Sequence, residues 1–170
     1  MAETFTLYKL IVLYMLDRVD FTLTTSQISE FILDKGYTTY FRLQSALAEL
    51  TDSGLLKIEL THNRTLYNLT EEGAATINYF RNKISPEIRQ EIDNFINEKK
   101  YDLKEEVSVK SDYYLNTNHE YEVKCQILEN GSHLIDMTLT VPTQTEAEAI
   151  VNNWNRKNQE IYALLLSQLL

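Results

Sequence analysis

The sequence is poor in glycine, proline and cysteine, with four, two and one of these residues among 170. The single cysteine, Cys125, excludes the internal disulfide framework that stabilises many small secreted domains. No apolar run approaches the roughly 20 residues that a membrane-spanning helix needs, and the N-terminus has no secretory signal pattern. We therefore expect a soluble cytoplasmic protein without a membrane segment.

Basic residues are also scarce, because 16 Lys and Arg stand against 25 Asp and Glu and give a net charge of −9. Such a balance argues against nucleic-acid binding, since affinity for a phosphate backbone depends on Lys and Arg. The acidity is unevenly distributed. Residues 1–84 carry 8 basic and 10 acidic side chains (−2), and residues 85–170 carry 8 and 15 (−7). A nearly neutral N-terminal half is compatible with weak, salt-sensitive DNA binding.

Three helices followed by a β-hairpin are predicted from the apolar periodicity of residues 1–84. The helices span about Phe5–Arg18, the stretch after a Thr24–Gln27 capping box, and Thr38 or Thr39 to Asp52, and the hairpin strands are Leu56–Leu60 and Leu66–Leu69. This order is typical of a winged helix-turn-helix, whose third helix enters the major groove of DNA while the hairpin contacts the neighbouring backbone. We predict such a domain over residues 1–84.

The remainder of the chain predicts a connecting helix over residues 85–104 and a small α+β domain over residues 105–170. Between Val107 and Val141 the apolar residues occupy odd positions in three segments, which indicates a three-stranded antiparallel meander with one apolar face. A Thr143–Glu146 capping box then starts a C-terminal helix that covers this face. We expect the poor helix formers at residues 155–158 to break or bend that helix. The predicted fold class is α+β.

The connection between the second and third strands of the meander is predicted from the register. A two-residue Asn130–Gly131 turn would place Ile127 beside Leu134 and mix the two faces of the sheet. A loop of three residues, Asn130–Ser132, pairs Ile127 with Ile135 and keeps the apolar residues together. We therefore predict the three-residue loop.

Candidate DNA contacts lie at the start of the third helix and on the hairpin. Arg42 suits a guanine edge or a phosphate, and Tyr40 can pack or reach the backbone. On the hairpin, Arg64 suits a phosphate or the minor groove. The predicted DNA-binding residues are Lys35, Thr38, Thr39, Tyr40, Arg42, Ser45, Lys57, His62, Asn63 and Arg64.

Five segments and the helix around Trp154 follow the sequence pattern of a known family. The segments are Leu10–Asp17, Ser26–Leu33, Tyr40–Gln44, Glu49–Gly54 and Leu134–Val141. Together they resemble a bacterial winged-helix family that is classed as a domain of unknown function, and the resemblance covers nearly the whole chain. More loosely, Tyr67–Gly73 is similar to the wing exit of multidrug-resistance and phenolic-acid repressors. The resemblance implies a winged-helix N-terminal half and a role in transcriptional regulation, and it implies no ligand, operator or catalytic residue.

We predict a DNA-binding transcriptional regulator that acts as a homodimer on double-stranded DNA. Dimerisation is expected because Leu7–Leu16 and Ile161–Leu170 are apolar on more sides than one monomer buries. Two alternatives stay open. One is a winged-helix protein-interaction adaptor without DNA binding, and the other is a module that senses a small effector in a pocket lined by Tyr113, Tyr121 and Trp154.

No motif indicates an enzyme, a metal site or a cofactor. The three histidines, His62, His119 and His133, have no metal-ligand spacing, and the sequence has no glycine-rich phosphate loop or nucleophile elbow. Cys125 lies on the apolar face of a predicted strand, whereas a redox sensor needs an exposed thiolate. We interpret it as a core residue and predict no catalytic residue, no metal and no cofactor.

Overall fold

The computed structural model describes the backbone of residues 2–170 and the side chains of residues 6–170. Over this range the chain is an α+β protein with six α-helices and two three-stranded antiparallel sheets. It forms two compact units, a first unit that ends at Val107 and a second unit, Ser108–Leu170. The predicted fold class is thereby confirmed as α+β with a C-terminal helix.

The first unit contains five helices and the first sheet within the described residues. In chain order its elements are α1 (Ala2–Asp17), β1 (Leu23–Thr24), α2 (Thr25–Asp34), α3 (Tyr40–Asp52), β2 (Leu56–Leu60), β3 (Thr65–Leu69), α4 (Glu71–Phe80) and α5 (Pro86–Ser108). The elements of the second unit are β4 (Val109–Leu115), β5 (Tyr121–Glu129), β6 (Ser132–Val141) and α6 (Gln144–Leu169).

Strand β1 is not predicted from the sequence. It has only two residues: Leu23 pairs with Tyr67 and Thr24 pairs with Leu66, so the order of the first sheet is β1-β3-β2. Two residues are too few to show a period-2 pattern of burial. Because Thr24 is also the N-cap of α2, this pairing places the start of α2 beside the hairpin formed by β2 and β3.

Side-chain caps determine where α2 and α3 begin. The Thr24 hydroxyl accepts a hydrogen bond from the Gln27 N–H at 3.0 Å, and the Gln27 side chain accepts one from the Thr24 N–H at 2.9 Å, which confirms the capping box. The N-cap of α3 is Thr39, whose hydroxyl accepts from a backbone N–H of the first turn. A cap of this kind contributes about 1 kcal/mol. The third helix therefore begins at Tyr40, and Thr38 lies in the preceding turn.

Helix α1 lies at the centre of the first unit. Every residue from Leu10 to Leu16 is at most 5% exposed, and the helix packs against α3, α4 and β3. A helix that is apolar on all sides is expected to be covered on all sides. The apolar surface of α1, which supported part of the dimer prediction, is thus already buried inside this unit.

Helix α5 is longer than the predicted connecting helix. It continues to Ser108 and includes Val107, which the odd-position pattern assigns to a strand. Leu103 and Val107 are both 4% exposed. They are four residues apart, which places them on one face of a helix, although residues at alternate positions would also share one face of a strand. In the structure this segment is helical and both side chains are buried.

Polar contacts fasten α5 to α1 within the first unit. Arg18 Nε donates to Asp93 Oδ1 at 2.8 Å, and the Tyr14 hydroxyl donates to the same carboxylate at 3.2 Å. Burial, together with the neighbouring Asp93 carboxylate, raises the pKa of Tyr14. In addition to these bonds, two apolar residues of α5, Ile92 and Ile96, are buried in the core of the unit.

A further contact to α5 gives a test by pH. The Tyr37 hydroxyl donates to the Glu91 carboxylate, and burial, followed by this bond and the charge of Glu91, raises the pKa of Tyr37 from 10.0 to about 12. The folded state therefore holds the phenol proton more tightly, so the stabilisation is complete below about pH 10 and is lost as the pH rises towards about 12. We expect Tyr37→Phe to have a shallower fall in the free energy of unfolding over this window than the wild type, measured by urea titration.

The control for this test is Tyr40→Phe, since Tyr40 is 54% exposed. This variant removes an exposed tyrosine hydroxyl and keeps the Tyr37–Glu91 bond, so the comparison isolates the effect of that bond. Identical profiles for the Tyr37 and Tyr40 variants would contradict a stabilising Tyr37–Glu91 bond.

The second sheet has the predicted register but a different turn. Ile127 pairs with Ile135 as predicted. The connection, however, is the two-residue turn Asn130–Gly131, with Glu129 paired with Ser132, so the predicted three-residue loop is wrong. Both turn residues have positive φ, 50° and 78°, as a two-residue hairpin turn of the twisted type requires.

A β-bulge reconciles this turn with the register of the core. Leu128 pairs with His133 and Ile127 pairs with Ile135, so Leu134 stands between them without a pairing partner in β5. Leu134 is 41% exposed. The sequence pattern requires one extra residue between the two strands. The structure places this extra residue, Leu134, inside strand β6 and not in the loop.

Helix α6 is continuous, so the break expected at residues 155–158 is wrong. Asn158 is only 7% exposed, and its Nδ2 donates to the Trp154 carbonyl at 3.0 Å. Unfavourable helix propensity costs a fraction of a kcal/mol per residue, which is less than the burial of one large side chain contributes. The packing of Trp154, 2% exposed, against the sheet outweighs the local sequence preference.

Candidate nucleic-acid interface

The first turn of α3 presents aromatic and polar side chains to solvent. Phe41 is 83% exposed and Tyr40 is 54% exposed, and Arg42 and Ser45 are exposed beside them. The opposite side of the helix holds it to the core of the first unit through Leu43, Ala46, Leu47 and Leu50. The structure therefore brings together on one exposed surface the predicted contacts Tyr40, Arg42 and Ser45.

The three predicted contacts in the turn between α2 and α3 differ in their exposure to solvent. Lys35 and Thr39 are exposed, and Thr39 also caps α3. Thr38 is half-buried, and its hydroxyl oxygen is buried without a hydrogen-bond partner among the described residues. The turn offers Lys35 and Thr39 to a ligand but not the Thr38 hydroxyl.

The hairpin tip is a compact turn closed by its own bonds. The Thr61 N–H donates to the Arg64 carbonyl at 2.9 Å, and the Arg64 N–H donates to the Thr61 hydroxyl at 3.1 Å. His62 and Asn63 are exposed between them, and Lys57 is exposed on β2. These three predicted contacts are therefore on the surface of the hairpin.

Arg64 has a structural partner that the sequence does not indicate. Its Nη1 donates to the Glu106 carbonyl at 2.8 Å, in the last turn of α5. The final carbonyls of a helix have no partner within the helix, and an arginine is a favourable cap for them. Gln27 holds the same turn, since its Nε2 donates to the Leu103 carbonyl at 3.2 Å and to Glu106 Oε2 at 2.8 Å. Arg64 thus stabilises the end of α5 and lies only half-exposed.

An open groove of about 720 Å³ runs between α2, the start of α3, the hairpin tip and the end of α5. Four predicted contacts, Tyr40, His62, Asn63 and Arg64, line it. The remaining lining residues are Thr24, Thr25, Ser26, Ser29, Leu33, Gln44, Thr61, Thr65, Tyr67 and Glu106. The groove is rich in hydroxyl groups and suits a polar ligand.

The sequence predictions miss two parts of this surface. Phe41 is absent from the predicted contacts because an apolar residue in a helix is expected in the core, and only the structure reveals its exposure. The hydroxyl groups of Thr25, Ser26 and Ser29 are absent because hydroxyl residues at a helix start are typical capping sequence. A run of small hydroxyl residues at the start of α2 is nevertheless the signal that could have placed them near the groove.

One of the two exposed acidic residues of α3, Glu49, has a basic partner. Glu49 forms an ion pair with Lys9 of α1 at 2.5 Å. An exposed pair of this kind contributes little to stability, but it offsets the negative charge that would repel a phosphate backbone.

The aromatic residues predicted as a pocket lie in the core of the second unit. Trp154 is 2% exposed and its Nε1 donates to the Gln126 carbonyl at 3.4 Å, while Tyr113 packs edge-on against Tyr121 with ring centroids 6.1 Å apart. The Tyr113 hydroxyl donates to Glu148 Oε1 at 3.1 Å, and burial together with this bond raises the pKa of Tyr113. In this arrangement the three side chains pack with one another and with the sheet.

Cys125 is fully buried in the same core, and burial raises the pKa of its thiol from 9.0 to about 11. A thiolate is therefore disfavoured there at neutral pH. Among the described side chains, no group of three or more His, Cys, Asp or Glu residues lies close enough to hold a metal ion. Within the same part of the chain, no helix combines the length and apolar character that a membrane crossing requires.

Comparison with solved structures finds Sso10a-2, a DNA-binding protein from Sulfolobus solfataricus, at 24% identity over 59% of this chain and 90% of that chain. The TM-score is 0.31, so this likeness assigns neither fold nor function. No curated protein matches the chain. The family model "Domain of unknown function (DUF4364)" matches residues 8–169. The chain therefore belongs to the DUF4364 family.

Proposed function

We propose that the protein is a DNA-binding transcriptional regulator, not an enzyme, and that its first unit is a winged helix. The observation that carries the proposal is the surface at the start of α3. This helix is held to the core on one side and exposes Tyr40, Phe41, Arg42 and Ser45 on the other, beside a hairpin that exposes His62. In winged helices the third helix enters the major groove and the hairpin lies against the backbone.

The order of elements supports the winged-helix assignment. Three helices precede the β2–β3 hairpin, and β1 adds a third strand to it. An α-helix with its side chains is about 10–12 Å in diameter, which fits a major groove about 12 Å wide. The exposed first turn of α3 is the part that would reach the base edges.

Selection from a pool of random-sequence duplexes at low salt tests the proposal. We expect the protein to enrich a defined sequence with modest affinity, because few basic side chains contribute to the electrostatic attraction. Each phosphate contact adds to the salt dependence, so about five contacts should give a loss of several hundred-fold over a fourfold rise in salt. Recovery of no preferred sequence at any salt concentration would remove the regulator assignment.

Arg42→Ala gives the sharpest test of which surface binds. If Arg42 contacts a guanine edge, its loss should weaken binding to the selected duplex by about 5- to 150-fold and relax the preference at one base pair. The matched control is Arg156→Ala, since Arg156 is exposed on α6 of the second unit. Fluorescence anisotropy with labelled duplex measures both variants, and equal losses for the two would contradict a contact specific to α3.

We infer that the regulator is a homodimer, through the C-terminal end of α6. This segment, residues 161–170, contains no charged side chain, and Leu164, Leu169 and Leu170 are 59%, 78% and 101% exposed. For a chain of net charge −9, an uncharged segment is the surface where a second copy meets the least repulsion. Two-fold pairing of these segments also shields the exposed leucines from water.

The dimer is tested by sedimentation velocity. We expect the double variant Leu164→Lys with Leu169→Lys to be monomeric at a concentration where the wild type is dimeric. Leu60→Lys, at a leucine of β2 that is 70% exposed, is the control and should leave the dimer intact. A wild type that stays monomeric at micromolar concentration contradicts the dimer and leaves DNA binding as a separate question.

A second candidate function is a protein-interaction adaptor without DNA binding. The observation that favours it is the exposure of two aromatic side chains on α3, Tyr40 and Phe41, beside the single basic residue of that helix, Arg42. Exposed aromatic residues are frequent anchors of protein interfaces. The duplex selection separates the two functions, because an adaptor enriches no sequence.

A further inference from the structure

We propose that Phe41 determines part of the sequence specificity, by contacting the C5-methyl group of thymine in the major groove. The inference rests on the DNA-binding function proposed above and names the base that this surface reads. Phe41 lies in the first turn of α3, is 83% exposed and is followed directly by the exposed Arg42. In helices that enter the major groove, residues near the N-terminus are the ones that contact base edges.

The exposure of Phe41 sets it apart from the other phenylalanines whose side chains are described. Phe31 is 1% exposed and Phe80 is 37% exposed, while Phe21 and Phe95 pack partly buried against the core. A phenyl ring in water contributes nothing to that core. Together with Tyr40, which is 54% exposed, it gives the outer side of α3 an apolar surface that a ligand can cover.

Local structure fixes where the Phe41 ring lies. The Thr39 cap sets the first turn of α3, and the Ser45 hydroxyl donates to the Phe41 carbonyl at 3.0 Å. The Tyr40 ring meets the Phe41 ring edge-on, with centroids 6.3 Å apart and an interplanar angle of 76°. The Phe41 ring is thus in contact with the Tyr40 ring, and most of its surface is exposed.

The chemistry of the ring restricts what it can read. Phenylalanine has no donor or acceptor, so it cannot recognise the hydrogen-bonding pattern of a base pair. Thymine is the one base that presents a methyl group in the major groove, and phenylalanine is among the side chains that contact it. Arg42, by contrast, suits the acceptor pair of guanine. We therefore expect the selected duplex to contain a thymine close to the guanine that Arg42 reads.

The experiment uses the duplex recovered from the random pool, with its thymines replaced one at a time by uracil. Uracil keeps the base pairing and removes only the methyl group. At one position we expect about fourfold weaker binding by the wild type, the factor that corresponds to burial of one methyl group. The Phe41→Ala variant should bind the thymine and uracil duplexes equally well. Tyr79→Ala, at a tyrosine of α4 that is 80% exposed, is the control and should keep the preference for thymine.

The possible results distinguish a failure of the role proposed for Phe41 from a failure of the proposed DNA binding. If the wild type binds a selected duplex but tolerates uracil at every position, the role of Phe41 is wrong and DNA binding stands. A Phe41→Ala variant that keeps the preference for thymine also contradicts the role of Phe41 and leaves DNA binding intact. If no duplex is selected, DNA binding itself fails and the inference fails with it. Loss of thymine discrimination in Phe41→Ala alone supports the assignment.

Discussion

Replacing Gly73 by alanine should destabilise the first unit by about 3 kcal/mol or more, because there is no room for a side chain there. A Cβ at this position would lie 2.2 Å from the Leu55 carbonyl oxygen and 2.8 Å from Leu69 Cδ1. The Leu55 oxygen cannot withdraw easily, since it accepts from the Thr70 N–H at 3.2 Å and from the Thr70 hydroxyl at 3.0 Å. The clash falls where α4 begins directly after the hairpin, so the hairpin and α4 would move apart.

The matched control is Gly36→Ala. Gly36 has a φ of +69° but nothing within 4 Å of an added Cβ, so its substitution costs only backbone strain of about 1–2 kcal/mol. Urea titration of the two variants compares a steric cost with a conformational one. A smaller loss for Gly73→Ala than for Gly36→Ala would contradict the close approach of α4 to Leu55.

Replacing Trp154 by alanine should remove most of the stability of the second unit. Loss of a buried tryptophan costs about 3–5 kcal/mol, because the transfer free energy of the ring is lost and a cavity remains. A unit of about 60 residues has a total stability of only about 3–9 kcal/mol. Trp154 packs at the middle of the apolar stripe of α6 with Val123, Cys125 and Val151. Without it, the sheet loses the largest side chain that holds the helix.

Hydrogen exchange shows which part of the chain loses stability in this variant. Amides of β5 should lose protection in Trp154→Ala, while those of α1, buried in the core of the first unit, are followed as an internal reference. Trp154→Phe keeps an aromatic ring in the core and should restore most of the protection. If β5 stays protected in the alanine variant, the core of the second unit does not depend on Trp154 as its burial indicates.

Much of the fold was predictable because its signals are local. The Thr24 and Thr143 capping boxes mark the starts of α2 and α6, and both are present in the structure. The apolar alternation also predicts the correct pairing of Ile127 with Ile135. Such signals act within a few residues, so they can be read from a single sequence.

The remainder of the fold depends on distant contacts. Strand β1 exists because Leu23 meets Tyr67, which is far along the chain. Helix α6 continues through residues 155–158 because Trp154 packs on the sheet, and α5 continues to Ser108 because Val107 is buried. In each case tertiary packing overrides local propensity.

The candidate site was predicted only in outline. The start of α3 and the hairpin tip are identified by the order of elements, and Arg42 and Asn63 are exposed there. The bond between Arg64 and the Glu106 carbonyl joins residues with no sequence relation, so no pattern could indicate it. The exposure of Phe41 could not be predicted from the sequence either, because an apolar residue in a helix is usually buried.

The bulge in β6 has a consequence for how the chain tolerates changes in length. Removing one residue from a strand normally turns every later side chain to the opposite face of the sheet. Here Leu134 has no partner in β5, so its deletion would leave a regular hairpin with the same turn and the same apolar face. Deletion of Met137, Thr138 or Leu139 would instead leave a polar residue of β6 on the apolar face of the sheet. The second unit therefore tolerates a deletion beside the bulge better than a deletion farther along β6.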